Sequence, residues 1–308
     1  MKLFDKLLLL FCAVVSIGSL FIVISDNIVI SDSKDIPIKT ENTNENQEVA
    51  TTERIFLNHE ANSDINLRPK ENFLRRPKID IPKEIIRPKS SFIGTGFKIT
   101  DDLWMTARHV LGDCKTSYVN ASFESEPEEL ILIDKVFLHP ASDLAIFKYE
   151  NDAGYFDVPS VASKEATNSL LRTTAFTAGY PVGTPGQLYV KYLGKAALSN
   201  VNYDILEPIF VWTVSSKNPD YLTTVAGISG GPLFNSEGKI MGVTVAEQVR
   251  RGTISSADLQ SINWLIGAVD TDGGSNQPGQ DNVNPKNLED VADKYRADPR
   301  IVQLICET

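Results

Sequence analysis

Between residues 91 and 269 the apolar residues fall in short runs separated by turn-forming residues. Ser91–Thr100 and Leu103–Thr106 flank Asp101-Asp102 and predict a β-hairpin. The further runs are Leu130–Leu138, Leu144–Tyr149, Thr173–Gly179, Leu188–Leu193, Ile209–Val214, Leu222–Val225, Leu233–Asn235 and Ile240–Val245. Many short strands with brief turns and no helices between them predict an all-β fold, as an antiparallel sandwich or barrel.

The pattern takes on a helical period towards the C-terminus. Ala257–Val269 has apolar residues three and four positions apart, which predicts a helix. Lys286–Ile305 resembles a second, amphipathic helix. Asp270–Pro285, rich in Gly, Asn and Asp, predicts a loop or linker. We therefore expect a folded domain over 90–270 and a linker with a C-terminal helix over 271–308.

The first residues have the pattern of a membrane segment. An uncharged run extends from Leu7 to Ile24, with Lys2 and Lys6 before it. Its length suits a single transmembrane helix, so we predict a signal-anchor over 7–25 in the cell (inner) membrane. The lysines keep residues 1–6 in the cytoplasm and leave the remainder extracytoplasmic or periplasmic. A signal peptide cleaved near Ser16–Gly18, which would give a secreted form, is the alternative.

Residues 26–89 have the composition of a linker. Residues 31–60 are acidic and polar, whereas residues 68–89 are basic and contain four prolines, at positions 69, 77, 82 and 88. Such segments bury too little apolar surface to offset the entropy lost on ordering. We expect a disordered stalk, flexible first and stiffer afterwards, because proline-rich chains are extended.

Composition excludes one class of partner and constrains the cysteines. The 308 residues carry a formal net charge of −10, and nucleic-acid binding needs a basic face, so we expect no nucleic-acid partner. Of the three cysteines, Cys12 lies in the apolar run. Cys114 and Cys306 can form a disulfide if the domain lies in an oxidising compartment, although sequence alone does not show that they meet.

The segment Gly227-Ile228-Ser229-Gly230-Gly231-Pro232 indicates a catalytic serine. Glycine accepts positive φ and allows close approach to the main chain. A turn of this kind exposes the Ser229 hydroxyl and directs the N–H groups of Gly227 and Ser229 into one space. Two convergent N–H donors beside a nucleophile are what an oxyanion hole requires.

A serine nucleophile needs a base, and a histidine base needs a carboxylate to orient it. Of the three histidines, His59 lies in the predicted stalk and His139 ends a strand next to a proline. His109 follows the strand Leu103–Thr106 and is the candidate base. Asp143, at the head of the apolar run 144–147, is the candidate carboxylate.

The chain order His109, Asp143, Ser229 on a β-rich domain resembles the chymotrypsin-fold, trypsin-like serine peptidases. The resemblance spans about residues 91–269. It is closest to the bacterial glutamyl-endopeptidase and high-temperature-requirement types, because no cysteine directly follows His109 and Ile228 stands where digestive members carry an aspartate. The tail after Val269 is too short for a PDZ domain. The matching blocks are Gly94–Phe97, Thr106–Val110, Asp143–Ile146, Gly179–Pro181 and Gly227–Pro232.

The resemblance implies a fold, a reaction and a substrate pocket. The fold is a double antiparallel β-barrel, and the reaction is peptide-bond hydrolysis through an acyl-enzyme with no metal or cofactor. The partners are then protein or peptide substrates. The residues implied to bind substrate are Thr223, Thr244, Val245 and Ala246. None of these carries a charge, which favours a small or medium uncharged side chain before the cleaved bond.

Two other functions compete with this one. Folds of this type can lose activity, so a catalytically inactive binding or scaffold protein at the membrane is the alternative. An α/β-hydrolase would need strands alternating with helices and the acid between serine and histidine. The chain has neither feature.

Overall fold

The strands form two sheets in a computed structural model that describes residues 51–62, 67, 75–81, 92–100, 102–120, 129–149, 159–163, 170–269 and 281–308. The first sheet contains β1 (Glu53–Phe56), β3 (Phe92–Lys98), β4 (Trp104–Thr106), β5 (Thr116–Asn120), β6 (Leu130–Leu132), β7 (Lys135–Leu138), β8 (Ala145–Lys148) and β15 (Ile301–Glu307). The second contains β2 (Lys78–Ile81), β9 (Thr174–Gly179), β10 (Gly186–Asn200), β11 (Ile205–Asn218), β12 (Pro232–Phe234), β13 (Ile240–Gln248) and β14 (Thr253–Ala257). The helices are α1 (Arg108–Leu111), α2 (Leu259–Ala268) and α3 (Leu288–Ala297). The predicted all-β class is confirmed.

The second sheet closes on itself as a six-stranded antiparallel barrel. Its strands pair in the order β9-β10-β11-β14-β13-β12, and β12 returns to β9. Closure leaves none of these strands with an open edge, which is how small barrels avoid edge-to-edge association. Buried apolar side chains fill the interior, and the Trp212 indole donates to the Ser256 hydroxyl at 3.0 Å.

The first sheet closes in the same order, but its closing strand comes from the end of the chain. β6 and β7 are one run that bends at Ile133, whose N–H donates to the Ser117 carbonyl at 2.8 Å. The pairs then run β3-β4-β8-β7 and β6-β5, and β15 lies between β5 and β3. β15 therefore holds the position that β9 holds in the second barrel.

A disulfide links this closing strand to the segment that follows α1. Cys114 and Cys306 are bonded, with their Cα atoms 5.3 Å apart and 192 residues between them in the chain. Both side chains are buried. The sequence left this pairing open, and the structure shows it; the bond joins the C-terminus to the part of the first barrel that carries His109.

Two segments of the predicted linker are strands of the barrels. β1 pairs in parallel with β7, and the Arg54 guanidinium donates to the carbonyl of Leu111 at 3.0 Å. β2 pairs in parallel with β10. The Trp264 indole of α2 donates to the Asn62 carbonyl at 2.8 Å. The prediction that 26–89 is a linker throughout is wrong at these positions, because main-chain pairing and a few polar contacts dock segments whose composition is mostly polar.

Only the first half of the predicted C-terminal helix is helical. The helix predicted over Lys286–Ile305 ends at Ala297, and β15 follows. Pro299 explains the break, since the residue before a proline disfavours helical φ and ψ. The compact unit accordingly extends over Ala50–Thr308, not 90–270.

Most strand predictions are confirmed, with three kinds of error. The hairpin of β3 and β4 and the helix α2 are as predicted, whereas β10 and β11 are longer than their apolar runs. β5 and β14 were not predicted. Leu222–Val225 is not a strand, because the Val225 N–H donates to a side-chain carboxylate, not to a neighbouring strand.

The predicted cytoplasmic residues 1–6 and signal-anchor 7–25 lie outside the described residues. Within the ranges given above, the helices are too short and too polar to cross a membrane.

Removing the disulfide should weaken the first barrel. In the double variant C114A/C306A we expect the free energy of unfolding to fall by about 2–5 kcal/mol, because the bond restricts a long loop of the unfolded chain. Urea denaturation followed by tryptophan fluorescence measures the loss. An unchanged midpoint and slope would show that β15 is held by its strand pairing alone.

Candidate active site

The turn that carries Ser229 needs glycine at two positions. Gly227 has φ +97° and Gly230 has φ +87°, a region that other residues rarely adopt. A Cβ on Gly227 would lie 2.4 Å from the Tyr180 carbonyl oxygen, and one on Gly230 would lie 2.0 Å from the Thr95 carbonyl oxygen. Both conformation and space therefore require glycine on either side of the serine.

This turn is fastened to both barrels. The Ser229 carbonyl accepts from the Thr95 N–H of β3 at 2.9 Å. The next residue, Gly230, donates its N–H to the Thr244 carbonyl of β13 at 2.7 Å. A Cβ on Gly230 would also lie 3.0 Å from the Ala107 nitrogen, two residues before His109. Ser229, which is half-buried, thus borders the segment that leads into His109.

His109 and Asp143 form a tight pair at the first barrel. The Asp143 carboxylate is fully buried, and its Oδ2 lies 2.7 Å from His109 Nδ1. Its Oδ1 accepts the His109 main-chain N–H at 2.9 Å, one of the unpaired donors at the start of helix α1. The Arg108 N–H donates to the Asp143 carbonyl at 3.1 Å. The imidazole and the main chain of His109 are therefore both held by one buried carboxylate.

The orientation of the peptide between Ala226 and Gly227 is set by the neighbouring turn Pro181–Gly183. The Ala226 carbonyl accepts the Val182 N–H at 2.5 Å. In a trans peptide the C=O and N–H point in opposite directions, so the Gly227 N–H points away from Val182. Among the residues that the structure describes, neither the Gly227 nor the Ser229 N–H donates a hydrogen bond. Both are available to a bound group.

Val182, whose N–H donates to the Ala226 carbonyl, has a strained backbone conformation. Its φ of 53° is positive, which is rare for a β-branched residue, and its side chain is mostly exposed. Such a conformation costs on the order of 1–3 kcal/mol and persists where surrounding structure imposes it. The position is at the edge of the serine turn, where strained backbone is often found.

Glu247 braces the loop before Gly227, and sequence reasoning missed it. This β13 residue is half-buried, and its Oε2 accepts from the Thr224 hydroxyl at 2.6 Å. The two carboxylate oxygens lie 3.0 and 3.1 Å from the Val225 nitrogen. The Thr224 hydroxyl oxygen in turn accepts the Ala226 N–H at 3.1 Å. An acidic residue three positions after Thr244 was the available signal, but nothing in the sequence places it against Thr224.

The predicted substrate-binding residues differ in their surroundings. Thr223 is exposed, and Ala246 is half-buried. Val245 is buried at a bulge where β13 pairs with β14. Thr244 is also buried, with its hydroxyl 3.4 Å from that of Thr177. The Thr244 side chain thus packs inside the second barrel, and only its main chain contacts the serine turn.

His139 has a structural role. It is fully buried, its ring packs against Trp264, and its Nδ1 accepts the Ala141 N–H at 3.0 Å. Burial lowers the pKa of His139 to about 3, assisted by the nearby charges of His59 and Arg108. It is therefore neutral at physiological pH. In the described part of the chain no cluster of three or more His, Cys, Asp or Glu side chains is arranged to hold a metal ion.

Two closed six-stranded barrels, a buried aspartate on a histidine and a serine on a glycine turn define the class of chymotrypsin-fold proteins. Residues 94–243 match the trypsin-like peptidase domain family. This match agrees with the resemblance to trypsin-like serine peptidases that the sequence motifs indicated.

The relatives of this chain include a probable periplasmic serine endoprotease, DegP-like, of Pseudomonas fulva (strain 12-X). It is 30% identical over 162 residues, which are 52% of this chain and 30% of the relative. The chain thus spans less than a third of that relative's length.

Solved structures with some likeness include the active form of the Rv3671c protease of M. tuberculosis. Its TM-score is 0.42 at 18% identity, covering 62% of this chain and 83% of that one. A human pathogenic astrovirus serine protease has a TM-score of 0.38 at 14% identity, covering 56% and 91%. Likeness at this level adds no argument to the family match.

Removing the Glu247 carboxylate should loosen the serine turn. In E247A we expect the free energy of unfolding to fall by about 1–3 kcal/mol, because the N–H of the buried residue Val225 loses its acceptor. Chemical denaturation measures this loss. The matched variant E247Q keeps an acceptor for Val225 and should lose less. Equal stability of E247A and the wild type would contradict a bracing role.

Proposed function

We propose that this protein is a serine endopeptidase in which His109, Asp143 and Ser229 form the catalytic triad. The contact between His109 Nδ1 and Asp143 Oδ2, at 2.7 Å, is the observation that carries the proposal. It holds the imidazole through Nδ1, and Ser229 borders the segment that leads into His109. Membership of the trypsin-like peptidase family supports this assignment.

The reaction is acyl transfer through the serine. His109 takes the proton of the Ser229 hydroxyl as the oxygen attacks a peptide carbonyl, and then donates that proton to the leaving amine. A water molecule then attacks the acyl-enzyme. His109 takes a proton from this water and donates it to the Ser229 oxygen as the acid product leaves. Asp143 holds the imidazole in the tautomer that can accept at Nε2 and stabilises its positive form.

The Gly227 and Ser229 N–H groups form the oxyanion hole in this proposal. Both lack an internal acceptor in the described residues, and the Val182–Ala226 hydrogen bond directs the first of them away from Val182. Donors arranged in advance stabilise the tetrahedral oxyanion, and each contributes about 3–4 kcal/mol in comparable sites.

The substrates are extracytoplasmic proteins, and the domain acts outside the cytoplasm. Its relative is described as periplasmic, and a buried disulfide persists in oxidising compartments. Residues 7–25 would anchor the enzyme in the membrane, with residues 1–6 in the cytoplasm. The substrate side chain before the cleaved bond would lie against Thr223, Val245 and Ala246.

Replacing the nucleophile tests the function directly. In S229A we expect kcat on casein to fall by at least about 10⁴-fold. The free energy of unfolding should change by less than about 0.5 kcal/mol, since the side chain is small and half-buried. Labelling by a fluorophosphonate probe should be lost as well. S215A, which alters an exposed serine of β11, is the matched control and should label like the wild type. Absence of both labelling and cleavage in the wild type would favour the inactive binding protein.

Peptide libraries test the preference at the bond that is cleaved. We expect small or medium uncharged side chains to be cleaved roughly tenfold faster than Lys, Arg or Glu. Chromogenic peptides that differ only before the cleaved bond measure the ratio of kcat/KM values. Fast cleavage after Arg alone would overturn this expectation, and E247Q would then show whether the Glu247 carboxylate is the cause.

A further inference from the structure

A buried glutamate of the second barrel touches the segment that carries Asp143. Glu207 lies on β11 and has no exposed surface. Its Oε1 accepts the Asp143 main-chain N–H at 2.9 Å, and its Oε2 is hydrogen-bonded to the hydroxyl of Ser142, also fully buried. No part of the predicted active site explains why a carboxyl group is buried here.

The contact controls where the Asp143 carboxylate lies. The main chain of Asp143 is held on one side by Glu207 and on the other by the Arg108 N–H. Its side chain then holds His109 at both the main-chain nitrogen and Nδ1. Glu207 belongs to the barrel that also supplies Ser229, whereas Asp143 and His109 belong to the other barrel. It is therefore a direct link between the two halves of the site.

We propose that Glu207 is a positioning residue through which the second barrel fixes the His109–Asp143 pair relative to Ser229. The proposal rests on the proposed peptidase function, because positioning matters only if the three residues act together. A displacement of a catalytic group by about 1 Å costs on the order of 100-fold in rate, so a link of this kind has a measurable effect.

Glu207 performs this role as an uncharged acid at neutral pH. Burial without a basic partner raises its pKa to about 8, and the charge of Asp143 adds to the effect. The other charged group that acts on it is Asp258, at the start of α2, which lies near Lys195. In the protonated form, Glu207 accepts from the Asp143 N–H through Oε1, and its Oε2 remains hydrogen-bonded to the Ser142 hydroxyl. No second negative charge then opposes the ionised Asp143.

The variants E207Q and E207A separate the contact from the charge. Glutamine keeps one acceptor for the Asp143 N–H and one donor for Ser142, so E207Q should retain kcat within about twofold. Alanine removes both, so E207A should lose kcat roughly 10- to 100-fold while KM changes by less than about twofold. Equal kcat for E207A and the wild type would overturn the proposal. S142A, which removes only the hydroxyl partner, should fall between the two.

The acid limb of the pH profile tests the charge of Glu207 independently of folding. The midpoint of kcat/KM reports the essential base of the free enzyme. It should be the same in E207Q and the wild type, because replacing an uncharged acid by an amide removes no charge that acts on the base. If Glu207 were ionised there, its removal would move the midpoint to lower pH by about 0.5 units or more. That shift would overturn the assignment as a neutral acid.

Stability against pH tests the same carboxyl without any reference to catalysis. A carboxyl whose pKa is raised on folding gives its full stabilisation of the folded state at pH values below its pKa in the unfolded chain. That advantage is lost as pH rises towards about 8. The wild type should therefore lose stability relative to E207Q between about pH 5 and 8, measured by thermal unfolding. A constant difference would show that Glu207 is not a buried neutral acid. If the wild type lacks peptidase activity altogether, the proposed function fails while this measurement remains decisive for Glu207.

Discussion

Closure of the first barrel by the last strand of the chain is the constraint on which the rest of the structure depends. A six-stranded barrel has no open edge only when its first and last strands pair, and here β15 supplies the missing partner for β3 and β5. β3 carries Thr95, which holds the Ser229 carbonyl, and β5 follows the segment with Cys114. Without β15, both strands beside the site would present unpaired main chain. The C-terminal strand is thus part of the peptidase domain, and its disulfide joins it at the side of His109.

The predicted site also depends on how the two barrels meet. His109 and Asp143 come from one barrel, and Ser229 comes from the other. Their relative position is fixed by main-chain contacts, namely Thr95 with Ser229 and the close approach of Gly230 to Ala107. Glu207 adds a side-chain contact from the second barrel to Asp143. Each of these contacts is short and buried, so the interface between the barrels tolerates little displacement.

The features that sequence predicted are those encoded locally. The glycine turn, the hairpin of β3 and β4, and helix α2 each depend on neighbouring residues, and each is present. β15 was misread because its apolar residues continue the helical pattern of α3, although Pro299 was a signal of the break. β1 and β2 were missed because they are held by pairing with strands that are distant in the sequence. Their mostly polar composition gives no sign of that pairing. Glu207 could not be predicted, since a single acid in the apolar run 205–211 gives no indication of what it will face.

The two buried carboxyl groups near the site, on Asp143 and Glu207, show how surroundings give the same functional group two different roles. Asp143 accepts two hydrogen bonds from His109, and in the proposed mechanism one of these donors becomes positively charged. Glu207 contacts the main chain of Asp143, but its partners are a neutral N–H and a hydroxyl. No cation compensates it among the described contacts. Two adjacent charges in a buried region would repel each other, so the carboxyl with the weaker compensation keeps its proton. A neutral Glu207 therefore adds no negative charge beside the His109–Asp143 pair.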